Sequence, residues 1–125
     1  MDMFTIEEMQ EIREKCPALN LMTGLNYCMD SKEFYLDSLK MFVDTDQREA
    51  INGYYAAEDI TNYRIAVHAL KSAAMTIGAV LLSDHAKTLE MAAKAGDTAL
   101  IDSRHEALME EYTEVLEGIR KVVEI

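Results

Sequence analysis

The sequence predicts an all-α fold: an antiparallel up-down-up-down four-helix bundle with an additional short N-terminal helical segment. Three observations carry this. Half of the 125 residues are apolar, with one proline and five glycines, and alanine, leucine, glutamate and methionine, all good helix formers, are frequent. From residue 59 onward apolar residues recur in alternating steps of three and four, the period of a helix with one buried stripe. The connections between periodic stretches are short, which favours antiparallel neighbours.

Taken in order, Thr5-Ile6-Glu7-Glu8 has the Thr-x-x-Glu form of a capping box and opens a short helix that Cys16 and Pro17 should end. This piece, within residues 1–30, reads as a helical cap on a bundle of residues 31–124, all in a single domain of 1–125 without linkers or repeats. Asp30-Ser31-Lys32-Glu33 offers a second cap. From there Tyr35, Leu39, Phe42, Ala50, Ile51 and Tyr54 keep a helical period to Glu58-Asp59, with Asp44-Thr45-Asp46 and Asn52-Gly53 as candidate kinks or breaks. Ile60, Tyr63, Val67, Leu70, Ala74, Ile77 and Leu81 then form one buried stripe. The next helix, residues 79–95, turns Leu82, Ala86, Leu89 and Ala93 inward and ends at Gly96, where Asp97 caps its successor. The last, residues 98–123, carries Ile101, His105, Leu108, Tyr112, Val115, Ile119 and Val122 in a seven-residue rhythm.

Composition narrows function. One domain of this length excludes a multi-domain kinase. Cys16 and Cys28 lack the spacing of a zinc site or disulfide framework and read as reduced, packed thiols. Met1-Asp2 begins a stretch with acids among its first ten residues and no basic-then-apolar pattern, so no signal peptide is expected. No uncharged run, that of residues 72–83 included, reaches the ~20 apolar residues of a membrane span, and a cytoplasmic protein with no membrane partner is expected. Twenty-three acidic against twelve basic residues give a net charge of −11, which argues against nucleic acid and for protein partners.

One histidine stands out. Counting about 100° per residue from the buried stripe places His68 on the outer face of its helix, with Ile65, Ser72, Met75 and Ala79, while Lys71 and Ser72 lie one turn from its ring. An exposed imidazole can present a ring nitrogen as nucleophile near neutral pH. The stretch His68-Ala69-Leu70-Lys71-Ser72-Ala73-Ala74-Met75-Thr76-Ile77-Gly78-Ala79 resembles the signature of histidine-containing phosphotransfer (HPt) domains, His-x-Leu-Lys-Gly/Ser-x-Ala followed by Gly-Ala. It is matched by His68, Leu70, Lys71, Ser72, Ala74, Gly78 and Ala79. Glu33-Phe34-Tyr35 to Phe42 upstream, and Leu82, Leu89-Glu90 and Gly96-Asp97 downstream, fall where the family has similar residues, so the resemblance spans roughly residues 20–122. Many members have glycine where Ser72 stands and a small residue where Met75 stands.

The resemblance implies a four-helix bundle and a phosphocarrier in a two-component phosphorelay. His68 would accept a phosphoryl group from an aspartate of a response-regulator receiver domain and pass it to another receiver, with a hybrid histidine kinase as a further partner. Lys71 would offset phosphoryl charge, Ser72 would leave room beside the ring, and Gly78, nearer the buried side, reads as structural. Ile65, Met75 and Ala79 would form the rim on which a receiver docks. There is no cluster of acids for Mg²⁺, which the receiver would supply, and no phosphate-binding glycine loop for ATP, so no cofactor or metal of its own is expected and no catalysis without a receiver. A monomer suits such a carrier. His85 and His105 lack the Leu-Lys-Ser sequel and read as packing or surface residues. The alternative is a helical interaction module that binds or sequesters a receiver or sensor kinase without carrying phosphate. A metal-binding bundle is weaker, because the repeated Glu-x-x-His pairs of di-iron bundles are absent.

Overall fold

Side chains that cap backbone N–H groups mark most helix starts in this chain. In the computed structural model, which describes residues 3–124, Thr5, Asn20, Ser31, Asp59 and Asp97 each accept a hydrogen bond from the backbone N–H three residues on. They open α1 (Ile6–Lys15), α2 (Leu21–Tyr27), α3 (Lys32–Asp44), α5 (Ile60–Thr76) and α7 (Thr98–Val123), while α4 (Arg48–Ala56) and α6 (Val80–Lys94) start without a side-chain cap. Among the described residues there is no strand, and no helix is long and apolar enough to cross a membrane. Met1 and Asp2, where the reading of a missing signal peptide begins, lie outside the described residues, as does Ile125.

At Thr5 the capping box is complete, with Glu8 returning a hydrogen bond to the Thr5 N–H. One feature departs from the expected pattern: the N-terminal region holds a second helix, α2. The stretch from residue 31 to 59 is two helices, interrupted at the first of its two candidate breaks. It breaks at Thr45-Asp46-Gln47, where the Asp46 carboxylate accepts from the Arg48 backbone N–H and guanidinium and the Gln47 N–H donates to the Tyr112 hydroxyl at 2.9 Å. Short polar side chains that bond nearby backbone compete with a helix in this way. Asn52-Gly53 makes no break and lies inside α4. Ala50 faces solvent while Ile51 is fully buried.

The inward residues expected of the last two helices are all buried, and the core joins them to Tyr35, Leu39, Tyr63, Val67 and Leu70. His105 belongs to this core. Its Nε2 bonds Asn52 Oδ1 at 2.8 Å, its Nδ1 bonds the Tyr63 hydroxyl at 3.0 Å, and Tyr55 stacks on its ring. Burial pushes its pKa down, which keeps the imidazole neutral.

Two expectations about the end of α5 are corrected. Leu81 is 70% exposed rather than part of the buried stripe, and Ala79 is 1% exposed rather than on the outer face with His68. The cause is a helix end. α5 stops at Thr76, Gly78 adopts φ +83°, and Ala79 is the N-cap of α6, so counting 100° per residue past Thr76 assigns the wrong faces. Gly78 also lies under the start of α2: its carbonyl accepts from the Asn20 N–H at 2.8 Å, and a Cβ there would come within 2.1 Å of the Asn20 carbonyl oxygen. The reversal lays α6 along α5 in the opposite direction, with Ser83 bonding the Lys71 carbonyl at 2.8 Å and Glu90 reaching His68.

Gly78→Ala should therefore cost more than about 2 kcal/mol, combining left-handed backbone strain with a backbone collision. Gly53→Ala, in a helix interior with open space around the new Cβ, should instead stabilise by about 0.5–1 kcal/mol. Urea denaturation of both variants checks the pair, and similar shifts at the two sites would contradict this account of the turn.

Candidate functional site

The outer face of α5 carries the site. Tyr63, Ala66, Val67, Leu70 and Ala74 turn into the core, which leaves Ile65, His68 and Ser72 facing outward. The His68 side chain is 57% exposed and that of Ile65 is similarly open, Met75 and Lys71 are half-buried, and Gly78 and Ala79 lie inside. The structure thus brings His68, Lys71, Ser72, Ile65 and Met75 to one surface and takes Ala79 away from it. Ser72 makes no hydrogen bond to the imidazole, although its carbonyl accepts from the Thr76 hydroxyl at 3.0 Å.

Glu90, on α6, organises this surface. Its side chain is only 5% exposed, one carboxylate oxygen bonds His68 Nδ1, and the other accepts from Lys71 Nζ at 2.8 Å. Burial alone would raise its pKa, but the hydrogen bonds and charges of Lys71 and His68 outweigh that and hold the carboxyl below its ordinary range. Glu90 is therefore ionised near neutral pH. An ionised carboxylate can only accept, so the proton between the two groups sits on Nδ1. In a neutral imidazole this leaves the lone pair on Nε2, which has no protein partner among the described residues.

The sequence points to His68 and Lys71 but not to the contact that joins them. Lys71 makes its ion pair with Glu90, not with the imidazole. A signal was present: Glu90 follows Leu89 on the inward side of α6, and a carboxylate at the edge of an apolar stripe calls for a cation opposite it. What could not be read is that the partners come from residues 68 and 71, since that depends on how α5 and α6 are registered.

Two hollows lie along this face, one at His68 and one at the next turn of α5. One, of about 290 Å³, is lined by Arg64, Ile65, His68, Glu90 and Lys94. The other, of about 440 Å³, includes Lys71, Ser72, Met75, Asp84 and Lys87. An apolar hollow of about 280 Å³, bounded by Met41, Phe42, Leu70, Ala73, Ile77 and Tyr112 among others, holds no histidine, cysteine or carboxylate. His85 faces Glu111 at 3.6 Å and His105 is in the core, so neither joins the site. Cys16 and Cys28 are buried free thiols. Among the described residues no three histidine, cysteine or acidic side chains converge as metal ligands would.

The family model of the Hpt domain matches residues 35–119, which take in α5, α6 and every residue of the His68 surface. No curated protein and no solved structure matches the chain significantly.

The proton bookkeeping has a direct check. At pH 8, ¹⁵N-detected imidazole spectra of the wild type should show His68 with its proton on Nδ1 and a bare Nε2. Glu90→Ala should move it toward the Nε2–H form that a free imidazole favours. A wild-type ring already protonated on Nε2 would remove the role assigned to Glu90.

Proposed function

The chain belongs to the Hpt domain family, whose members serve phosphotransfer in two-component phosphorelays, and from that premise we propose that it is a phosphocarrier with His68 as its phosphoacceptor. The observation that carries this is the Glu90 contact, which fixes the tautomer and leaves Nε2 as an outward nucleophile. Phosphoryl transfer depends chiefly on positioning and charge stabilisation, and both are supplied here without strong chemistry from the chain itself.

The Nε2 lone pair attacks the phosphorus of a receiver's aspartyl phosphate, the N–P bond forms, the P–O bond to the aspartate breaks, and the aspartate leaves as a carboxylate. The ring retains its Nδ1 proton and gains positive charge, which faces the Glu90 carboxylate across the existing hydrogen bond. In the return step toward a second receiver the ring leaves as a neutral imidazole. The receiver brings the Mg²⁺ that steadies the phosphoryl oxygens, and the chain acts as a carrier with no ATP site of its own. Lys71 balances Glu90 and lends charge to the phosphoryl oxygens, while Ser72 keeps the approach to the ring open.

Ile65 and Met75 form the apolar part of the rim on which the receiver docks, a role Ala79 loses with its burial. Gly78 is structural. Residues 1–30 cap a bundle in which α3 with α4, α5, α6 and α7 run up-down-up-down. The protein works as a cytoplasmic monomer that meets receiver domains, and a hybrid histidine kinase, in turn.

Mixing the protein with a Mg²⁺-loaded receiver carrying labelled aspartyl phosphate should transfer an acid-labile, base-stable label to the wild type and none to His68→Gln. Equal labelling of the two would remove His68 from the reaction. Receivers that bind both forms and label neither would make the chain a non-phosphorylated interaction module.

A further inference from the structure

The charges around His68 run against those of the whole chain. The total is −11, from 23 acidic and 12 basic residues. Yet the hollow at His68 and the one at the next turn of α5 are together lined by four cations, Arg64, Lys71, Lys87 and Lys94, and by only two acids, Asp84 and Glu90. Lys71 is paired with Glu90 at 2.8 Å, so at the distances over which partners approach, its charge is largely cancelled. Arg64, Lys87 and Lys94 are different. All three side chains are exposed, and none makes a salt bridge among the described residues; other exposed cations such as Lys40, Arg104 and Lys121 are likewise unpaired, but they lie outside both hollows.

We propose that Arg64, Lys87 and Lys94 form a cationic rim that steers the acidic phosphorylation face of a receiver domain onto His68. The inference rests on the phosphocarrier reading and adds to it how the partner is recognised. A receiver's phosphoacceptor aspartate and the carboxylates that hold its Mg²⁺ make the contact face an acidic one. A chain at −11 would repel such a face at long range, and the local excess of cations reverses that repulsion where the two active groups must meet. The apolar contacts on Ile65 and Met75 act only at contact distance, so the free charges govern the encounter.

Stopped-flow association with a Mg²⁺-loaded receiver tests the rim. At low salt the R64E/K87E/K94E variant should associate at least about tenfold more slowly than the wild type, and the two should converge near about 0.5 M salt, where the Debye length falls to a few ångströms. R64Q/K87Q/K94Q should lose less, in the same direction. A control, K40E/R104E/K121E, makes the same change in net charge at exposed positions outside both hollows and should associate nearly as fast as the wild type. Equal low-salt rates for wild type and rim variant, a gap that persists at high salt, or an equal loss in the control would overturn the proposal. Label transfer to the wild type, measured in parallel, keeps the two readings apart: a wild type that takes no label sinks the phosphocarrier, while one that is labelled yet indifferent to rim reversal sinks only the rim.

Discussion

The hydrogen-bonded ion pair of Glu90 with Lys71, shared with His68, is the constraint on which the rest of the site depends. Glu90 is the one acidic residue buried among the described residues. A buried carboxylate left without partners would cost several kcal/mol, so α5 and α6 can pack in only one register, with two residues of α5 one turn apart meeting a single residue of α6. Sliding either helix by a turn would keep most of the alanine and leucine contacts but strand the charge. The apolar stripes bring the helices together; Glu90 selects the alignment that places an oriented imidazole at the surface.

That alignment has a support at the near end. α5 and α6 reverse direction within Ile77-Gly78-Ala79, and the turn is held from outside by α2, whose first residues cross it. The Tyr35 hydroxyl bonds the Ile77 carbonyl at 2.8 Å, and Gly24 admits both the Tyr35 ring and the Ile77 carbonyl at distances a side chain would block. The N-terminal region is thus a clamp on the turn as well as a cap on the bundle. Its packing reaches His68 through the register of α6 and not through any contact with the ring.

How much of this could be read in advance follows the range of the interactions. The stripes of α5, α6 and α7 were legible because periodicity is a local property expressed many times over in each helix. The exposure of His68 was legible for the same reason. Ala79 and Leu81 were misplaced because the positive φ of Gly78 ends the helix, and a glycine inside a helical pattern is ambiguous until the Asn20 carbonyl above it is seen. α2 escaped notice as a short helix with a glycine in its middle. The part played by Glu90 is non-local by nature: it needs a partner 19 residues away and another 22 away, on a helix whose rotation the sequence fixes only to within a face.

On the proposed role of His68 as phosphoacceptor, the same triad bears on the balance between loading and release. A carboxylate against Nδ1 would stabilise the positive charge of a ring phosphorylated on Nε2, and if unopposed it would favour loading over release. Lys71 opposes it. By taking one oxygen of Glu90 it draws charge from the carboxylate and weakens its hold on the Nδ1 proton. With the two opposed, neither the free nor the phosphorylated ring would lie far below the other in energy. A relay requires that condition, because a histidine that held its phosphoryl group tightly would be an end point, and one that held it weakly would never be loaded.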